Sequence, residues 1–425
     1  MTMGFPNIFV ASAAAIMYRN LGMTTEQVVI YTSQLYLPWV LKPIWAPLLE
    51  SFGTKRRWVL AMQFILMTAF GLAAISLSGT YAVPLTLCFF WIIGFASATQ
   101  DIAIDGIFMS ATNSAEQARY AGVQNLCWNI GAVIASGIVV SLSGVLKKNY
   151  SLSWPDCWMM VLLICSLFIG ISAIWHATTL PHTRATARSD YSFFDAFKSS
   201  GRAWHTFVAK PKIWTMLFVV FMYRLAEGFL EKISPLFLLD SRKLGGLGLD
   251  NQTLGTINGT FGTVAFIAGT ILASFVVSKM TLRRSFFILA LSLNVPHLTY
   301  YWLSMDLPSS LAAISGAVLL EKFGYGIGSV GHMLYMVQQV SPGRFQMSHY
   351  AFATSVMALC KCVTGWVSGP VFTAFHQNYQ TFFIFVLVMS IPPVLVAYFA
   401  PFSLGEARPA SLHESVPAAA NPGPQ

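Results

Sequence analysis

Twelve stretches of mostly apolar residues dominate the chain, each close to or above the length that crosses a bilayer, about 20 residues as a helix. They cover 3–20, 25–49, 58–78, 83–111, 117–146, 157–177, 213–240, 251–278, 285–304, 308–340, 346–374 and 378–400. A backbone in hydrocarbon must satisfy its own hydrogen bonds, so such runs become helices or closed barrels. These runs are too long and too continuous for ten-residue barrel strands. The expected fold is therefore all-α and polytopic, with twelve transmembrane helices. Several runs exceed 25 residues, which calls for tilt or kinks. The first run starts at the initiator Met without a charged flank, and an earlier start upstream is expected.

Charge agrees with this reading. Hydrophobic residues make up 56% of the chain and charged residues 10%, against roughly 25% charged in a soluble domain. That excludes an ordinary cytosolic enzyme, a disordered chain and a nucleic-acid-binding domain. The net charge of +9 is an orientation signal. One set of loops, with the tail, holds fifteen Lys/Arg and six Asp/Glu, while the other side holds five of each. Basic loops stay in the cytoplasm, so both termini and the loop 178–212 are expected there. Six cysteines without regular spacing form neither a disulfide framework nor a metal cluster.

The loop 178–212 separates six spans from six. TKRRW (54–58) follows the second span and TLRRS (281–285) the eighth; RYAGVQNLCWNIG opens the fifth at Arg119 and HYAFATSVMALCK the eleventh at His349. A six-plus-six parallel repeat with a basic turn after the second span of each half fits the major facilitator architecture. The domains read as 1–177, an N-terminal bundle; 178–212, a cytoplasmic linker; 213–400, a C-terminal bundle; and 401–425, a Pro- and Ala-rich tail expected to be disordered. No phosphate loop, zinc-protease motif or nucleophile elbow is present in the sequence. The chain reads as no enzyme and calls for no cofactor or metal. GYGIG (324–328) lies inside the tenth span and reads as close helix packing.

Ten ionisable residues fall inside the spans away from their extreme ends: Lys42, Asp101, Asp105, Arg224, Glu227, Glu231, Lys232, Glu321, Lys322 and Lys361. Each costs roughly 2.5–3.5 kcal/mol at a helix centre, so each is a functional candidate by default. In YRLAEGFLEKISP (223–235), Arg224, Glu227 and Glu231 follow i,i+3 and i,i+4 spacing and are expected on one face. Glu227, Glu231 and Glu321 are the proton-coupling candidates; the alternative for the helix-seven set is a structural ion pair. Glu231 and Lys232, nearer the span's end, can also reach water. Glu321 and Lys322 point about 100° apart and are expected to serve different faces. Arg224, Lys322 and Lys361 either line a cationic cavity for an anionic substrate or each hold an internal carboxylate; both readings stand. Lys42, Tyr223 and Trp128 complete the substrate-binding candidates. Asp101 and Asp105, with Glu50, Arg56 and Arg57, are expected to form a cytoplasmic gate.

The stretches LYLPWVLKPIWAPLLESFGTKRRW (35–58), SATQDIAIDG (97–106), MYRLAEGFL (222–230) with SPLFLLD and GGLGL, and LEKFGYGIG (320–328) resemble the AmpG-type branch of the major facilitator superfamily, the peptide/acetyl-coenzyme-A transporter family. The resemblance spans about residues 10–400. It implies a proton-driven inner-membrane permease, the family including importers of anhydro-muropeptides released in cell-wall recycling, of siderophores and of acetyl-coenzyme A. Carried over by motif, Asp101 and Asp105 match the branch's acidic pair and Arg224 its basic position; Glu50 stands where many relatives have Asp. The function expected is proton-coupled import, by alternating access, of an anionic peptide- or sugar-containing metabolite, anhydro-muropeptide first. The alternatives are a siderophore importer and a non-transporting sensor with this fold. The expected partners are the small anion, protons and lipid, without nucleic acid, the chain acting as a monomer.

Overall fold

The computed structural model describes residues 1–51, 54–111, 127–181, 193–343 and 345–402. Among them every regular element is helical. Ten helices are long and apolar enough to cross a membrane, from Lys55–Ser76 to Tyr379–Tyr398. The first two expected spans are helical too. Residues 4–20 run as one continuous short rod, and the second span divides at Leu35–Tyr36 into Thr25–Gln34 and Leu37–Ser51. Apolar side chains on the outer surface are open rather than covered: Ile75, Leu167, Ile174 and Phe275 are each at least 60% exposed. Water would penalise such a surface, and lipid tails would not.

Polar caps start the rods at one end of the molecule. Thr24 and Gln27 form a reciprocal capping box, Ser153 accepts from Asp156 N–H, Asp250 from Thr253 and Asn378 from Thr381. Each cap satisfies an N–H that a helix start leaves orphaned. At the opposite end Thr54 caps Lys55–Ser76.

The rods pack in a pattern that repeats with a shift of six. The third span packs on the fourth and sixth, and the ninth on the tenth and twelfth; the second meets the fourth as the eighth meets the tenth. Across the halves the second span lies on the eleventh and the fifth on the eighth. GYGIG serves packing, as expected: a Cβ on Gly324 would run into the Ser292 carbonyl of the ninth span, and one on Gly326 into the Phe266 carbonyl of the eighth.

The loop between the halves is not all loop. Phe193–Val208 forms an amphipathic helix. Its Ala203 and Phe207 are buried, and its Trp204 stacks on Phe352 of the eleventh span with ring centroids 4.0 Å apart. The repeat stretch at 119–126 and the tail from 403 onward lie outside the described residues.

Three spans of the second half are broken by local sequence. The seventh divides at Tyr223–Arg224, where Arg224 takes φ −109° and ψ 15°. In the ninth, Pro296 lacks an N–H and sits in a 3-10 turn, Val295–His297. The twelfth breaks at Ser390, just before Pro392 and Pro393. Breaks at membrane depth are tolerated where protein covers them, and here they frame a polar cluster.

Candidate functional site

The cluster centres on Glu227, only 1% exposed. Its Oε2 lies 3.4 Å from Nε2 of His297, which is equally buried. The other ring nitrogen, Nδ1, is 2.9 Å from the Ser390 hydroxyl. Ser390 donates its own proton to the Val386 carbonyl at 3.0 Å. The hydroxyl therefore accepts from His297, Nδ1 carries the hydrogen, and Nε2 turns towards Glu227. A lone pair facing a carboxylate is repulsive. Buried and this close, the two groups are a candidate pair for sharing a proton.

Glu321 and Lys322 of the tenth span lie beside this pair, close enough for their charges to act on one another and on Glu227. The expectation that they serve different faces is corrected: Lys322 Nζ is 3.0 Å from Glu321 Oε2. A four-carbon stem is long enough to fold back across the angle between neighbouring residues. Counted as ionised, two carboxylates and one ammonium sum to a single negative charge in this cluster.

Arg224, Glu227 and Glu231 make their direct contacts in different directions, although the charge of Arg224 still acts on both carboxylates. The break at Arg224 takes it out of helical register. Glu227 turns to the ninth and tenth spans, and Glu231 to Lys361 of the eleventh, at 3.0 Å. Lys361 Nζ also sits 5.4 Å from the ring centre of Tyr36 on the second span, so this pair reaches the seam between the halves. Arg224 is buried against Tyr325: it donates to the hydroxyl and lies over the ring, 4.8 Å from its centre. Its Nη1 faces Met357 Sδ at 3.7 Å. Among the described residues no carboxylate lies within ion-pair distance of Arg224, whereas Lys322 and Lys361 each have one.

This arrangement, broken helices holding charge at the centre of a six-plus-six bundle, can be compared with known proteins. The family model described as Major Facilitator Superfamily matches residues 1–370. The chain belongs to the major facilitator superfamily. It is 23% identical over 388 residues to the anhydromuropeptide permease of Escherichia coli K12, covering 88% of this chain and 73% of that one. It is 20% identical over 411 residues to putative transporter AmpG 4 of Rickettsia felis, covering 92% of both. These names agree with the AmpG-type branch that the motifs resemble. The inward-open xylose transporter XylE from E. coli superposes with a TM-score of 0.70 at 11% identity, over 97% of this chain and 96% of that one, a likeness of fold. The chain is thus a multi-pass membrane transporter of the major facilitator type and not an enzyme.

The remaining candidates of this facilitator fall elsewhere. Asp101 accepts from Trp39 Nε1 at 3.0 Å, with Lys42 and Asp105 near enough to act on its charge. Arg56 reaches the Ala177 carbonyl of the sixth span rather than Asp101. Thr54 receives the backbone N–H of Arg57. The side chain of Glu50 lies outside the described residues. Trp128 packs against Gly4 of the first span. Tyr223 donates to the Gly328 carbonyl at 3.1 Å and stacks between Phe286 and His332, which makes it a packing residue in this conformation.

At the capped end the halves are tied by a network that the sequence did not single out. Arg19 Nε meets Asp240 Oδ1 at 2.6 Å, and the Tyr379 hydroxyl donates to Oδ2 at 2.7 Å. Asn251 Nδ2 donates to Asn20 Oδ1 at 2.7 Å and to Ser143 Oγ at 2.8 Å. His297 and Ser390 were also missed. Their signal was a polar residue beside a helix-breaking proline inside an apolar span.

Proposed function

We propose that the chain is a proton-coupled importer of an anionic, peptide- or sugar-containing metabolite, with anhydro-muropeptide as the favoured substrate. The observation that carries this reading is the Glu227–His297 pair, a buried carboxylate and imidazole 3.4 Å apart whose facing atoms have no other hydrogen-bond partner among the described residues. Protonating the pair removes the cluster's excess negative charge, and releasing the proton restores it. A switch of one charge in a low-dielectric interior is large enough to bias a conformational equilibrium. Arg224 supports the anionic substrate, being a buried cation whose direct contacts are a phenol and a thioether, with Glu227 and Glu231 acting on it only from beyond ion-pair distance. Two low-identity relatives, named as an anhydromuropeptide permease and an AmpG transporter, favour the muropeptide class.

On this reading the two bundles, 1–177 and 213–400, rock about the site, and the linker 178–212 joins them. The basic loops face the cytoplasm across a bacterial inner membrane. The Arg19–Asp240 end is then the outer end, closed in this conformation.

Uptake of labelled anhydro-muropeptide into proteoliposomes under an imposed inward proton gradient tests the proposal. Accumulation is expected, with collapse on adding a proton ionophore. Accumulation that survives the ionophore removes proton coupling, and displacement of the label by a ferric siderophore moves the substrate class.

A further inference from the structure

A cavity of about 500 Å³ opens at the end sealed by Arg19 and Asp240, and the proton site makes no use of it. Its wall carries three cations, Arg19, Lys147 and Lys148, and two acids, Asp240 and Asp250. Asp240 is paired with Arg19, whereas Asp250 caps a helix and keeps its charge, so the wall as a whole carries a net single positive charge. Asp240 holds Arg19 and Tyr379, and Asp250 takes the Thr253 N–H at 2.7 Å as a helix cap. Lys147 gives one hydrogen bond to the Leu152 carbonyl at 2.8 Å and lies 5.5 Å from the ring centre of Trp154, another wall residue. An ammonium has three donors, so two remain. Lys148 is exposed, and among the described residues no carboxylate lies within ion-pair distance of it. An indole face stacks on the C–H face of a sugar ring, and two ammonium groups beside it suit a carboxylate on that ring.

We propose that this cavity is a docking site for a sugar carboxylate, and that the docked carboxylate loosens the closure by exchanging with Asp240 on Arg19. The idea rests on the import direction proposed above, which makes this the side where the ligand arrives. The geometry favours exchange over simple rupture. Arg19 uses Nε for Asp240 and Nη1 for the Met23 carbonyl, and its side chain is 20% exposed. A guanidinium has five donors, so an incoming carboxylate engages Arg19 before Asp240 leaves. Asp240 keeps the Tyr379 hydroxyl as it goes. Neither charge is stranded, which is the costly outcome when a buried pair breaks.

The experiment uses the full chain in detergent, with N-acetylmuramic acid as the probe and N-acetylglucosamine as the neutral ring control, read by calorimetry. Saturable binding of the acid is expected, at least tenfold tighter than the neutral sugar. Lys147→Gln/Lys148→Gln is expected to weaken it at least tenfold, and Lys279→Gln, an exposed cation at the opposite end of the eighth span, to leave it unchanged. The second readout is Ser143→Cys, a position buried beneath the closure and bonded to Asn251. Its labelling by a charged maleimide, followed peptide by peptide with the native cysteines in place, is expected to quicken severalfold with the acid bound. Equal affinity for the two sugars, or affinity indifferent to the lysine pair, overturns the site. Binding without faster labelling overturns the exchange. Binding and faster labelling in a chain that shows no gradient-driven uptake uphold the docking site and count against the transport reading alone.

Discussion

Glu231 and Lys361 face each other across the seventh and eleventh spans, with Lys361 Nζ 3.0 Å from both carboxylate oxygens. Such a pair adds little over an apolar substitute, but breaking it strands a charge. Glu231→Gln is expected to destabilise the folded chain by about 3 kcal/mol. Glu231→Gln/Lys361→Met is expected to recover most of that loss, because no lone ammonium remains. Unfolding titrations of the two single variants and the double variant in detergent check this. Strictly additive losses would show that the two residues do not depend on each other.

Glu227 and His297 are expected to behave as one proton site. Glu227→Gln removes the carboxylate half of the pair, so uptake driven by a pH gradient should fall by at least tenfold. Substrate exchange at equal pH on both sides should persist, since it needs no net proton movement. His297→Gln should give the same split. Comparing counterflow with gradient-driven uptake separates this from misfolding, which lowers both. Full gradient-driven accumulation in Glu227→Gln would falsify the assignment.

Arg224 is held by its planar face as well as its charge, lying 4.8 Å from the centre of the Tyr325 ring and bonded to its hydroxyl. Lysine keeps the charge and loses the fork and the flat face. Arg224→Lys is expected to raise KM roughly tenfold, about 1.4 kcal/mol, within the range of a desolvated cation–π contact. Tyr325→Phe keeps the ring and should cost less. Initial uptake rates across substrate concentrations decide it, and a KM unchanged in Arg224→Lys would leave Arg224 as a bare point charge.

These residues show which parts of the site can be read from a sequence. Arg224, Glu227, Glu231 and Lys361 stood out because a charge in an apolar span is expensive. Their partners did not, because pairing depends on how the spans pack. The i,i+3 rule did not foretell the separate contacts of Arg224, because it assumes an unbroken helix. His297 and Ser390 carry no obligatory charge and passed as ordinary polar residues. For the fold, hydropathy alone located the spans and their order. It overlooked the helix Phe193–Val208, whose single apolar face is too short and too polar overall to register as a span.

Lys210, at the end of that connecting helix, gives a pH dependence whose sign can be worked out. It donates to the Val340 carbonyl at 2.6 Å, and partial burial lowers its pKa from the usual lysine range to about 8. Between pH 8 and roughly 10.4 the unfolded chain holds this proton and the folded chain has released it. More protons bound by the unfolded state means that stability rises with pH across this window. Below pH 8 both states are protonated and the effect is flat. Melting temperatures of wild type and Lys210→Met from pH 7 to 10 should diverge above pH 8, with wild type gaining. Parallel curves would remove Lys210 from the pH response.

Gly259 marks a close approach of the two halves. A Cβ there would collide with the Ser136 carbonyl oxygen and the Gly137 backbone of the fifth span. Both obstacles are main chain and cannot rotate away, so Gly259→Ala must push the fifth and eighth spans apart. On the fifth span, Ser136 and Gly137 lie well over three turns from its end at Tyr150; on the eighth, Asn251 lies about two helical turns away and bonds to Asn20 and Ser143. The strain therefore falls on the closed end. Gly259→Ala is expected to lower transport severalfold and to make Ser143→Cys reactive towards a charged maleimide without ligand. Glycine's wider backbone freedom is not the reason, since this position is helical. If Gly259→Ala matches wild type in both labelling and uptake, the fifth and eighth spans do not need this close contact to seal the Arg19–Asp240 end.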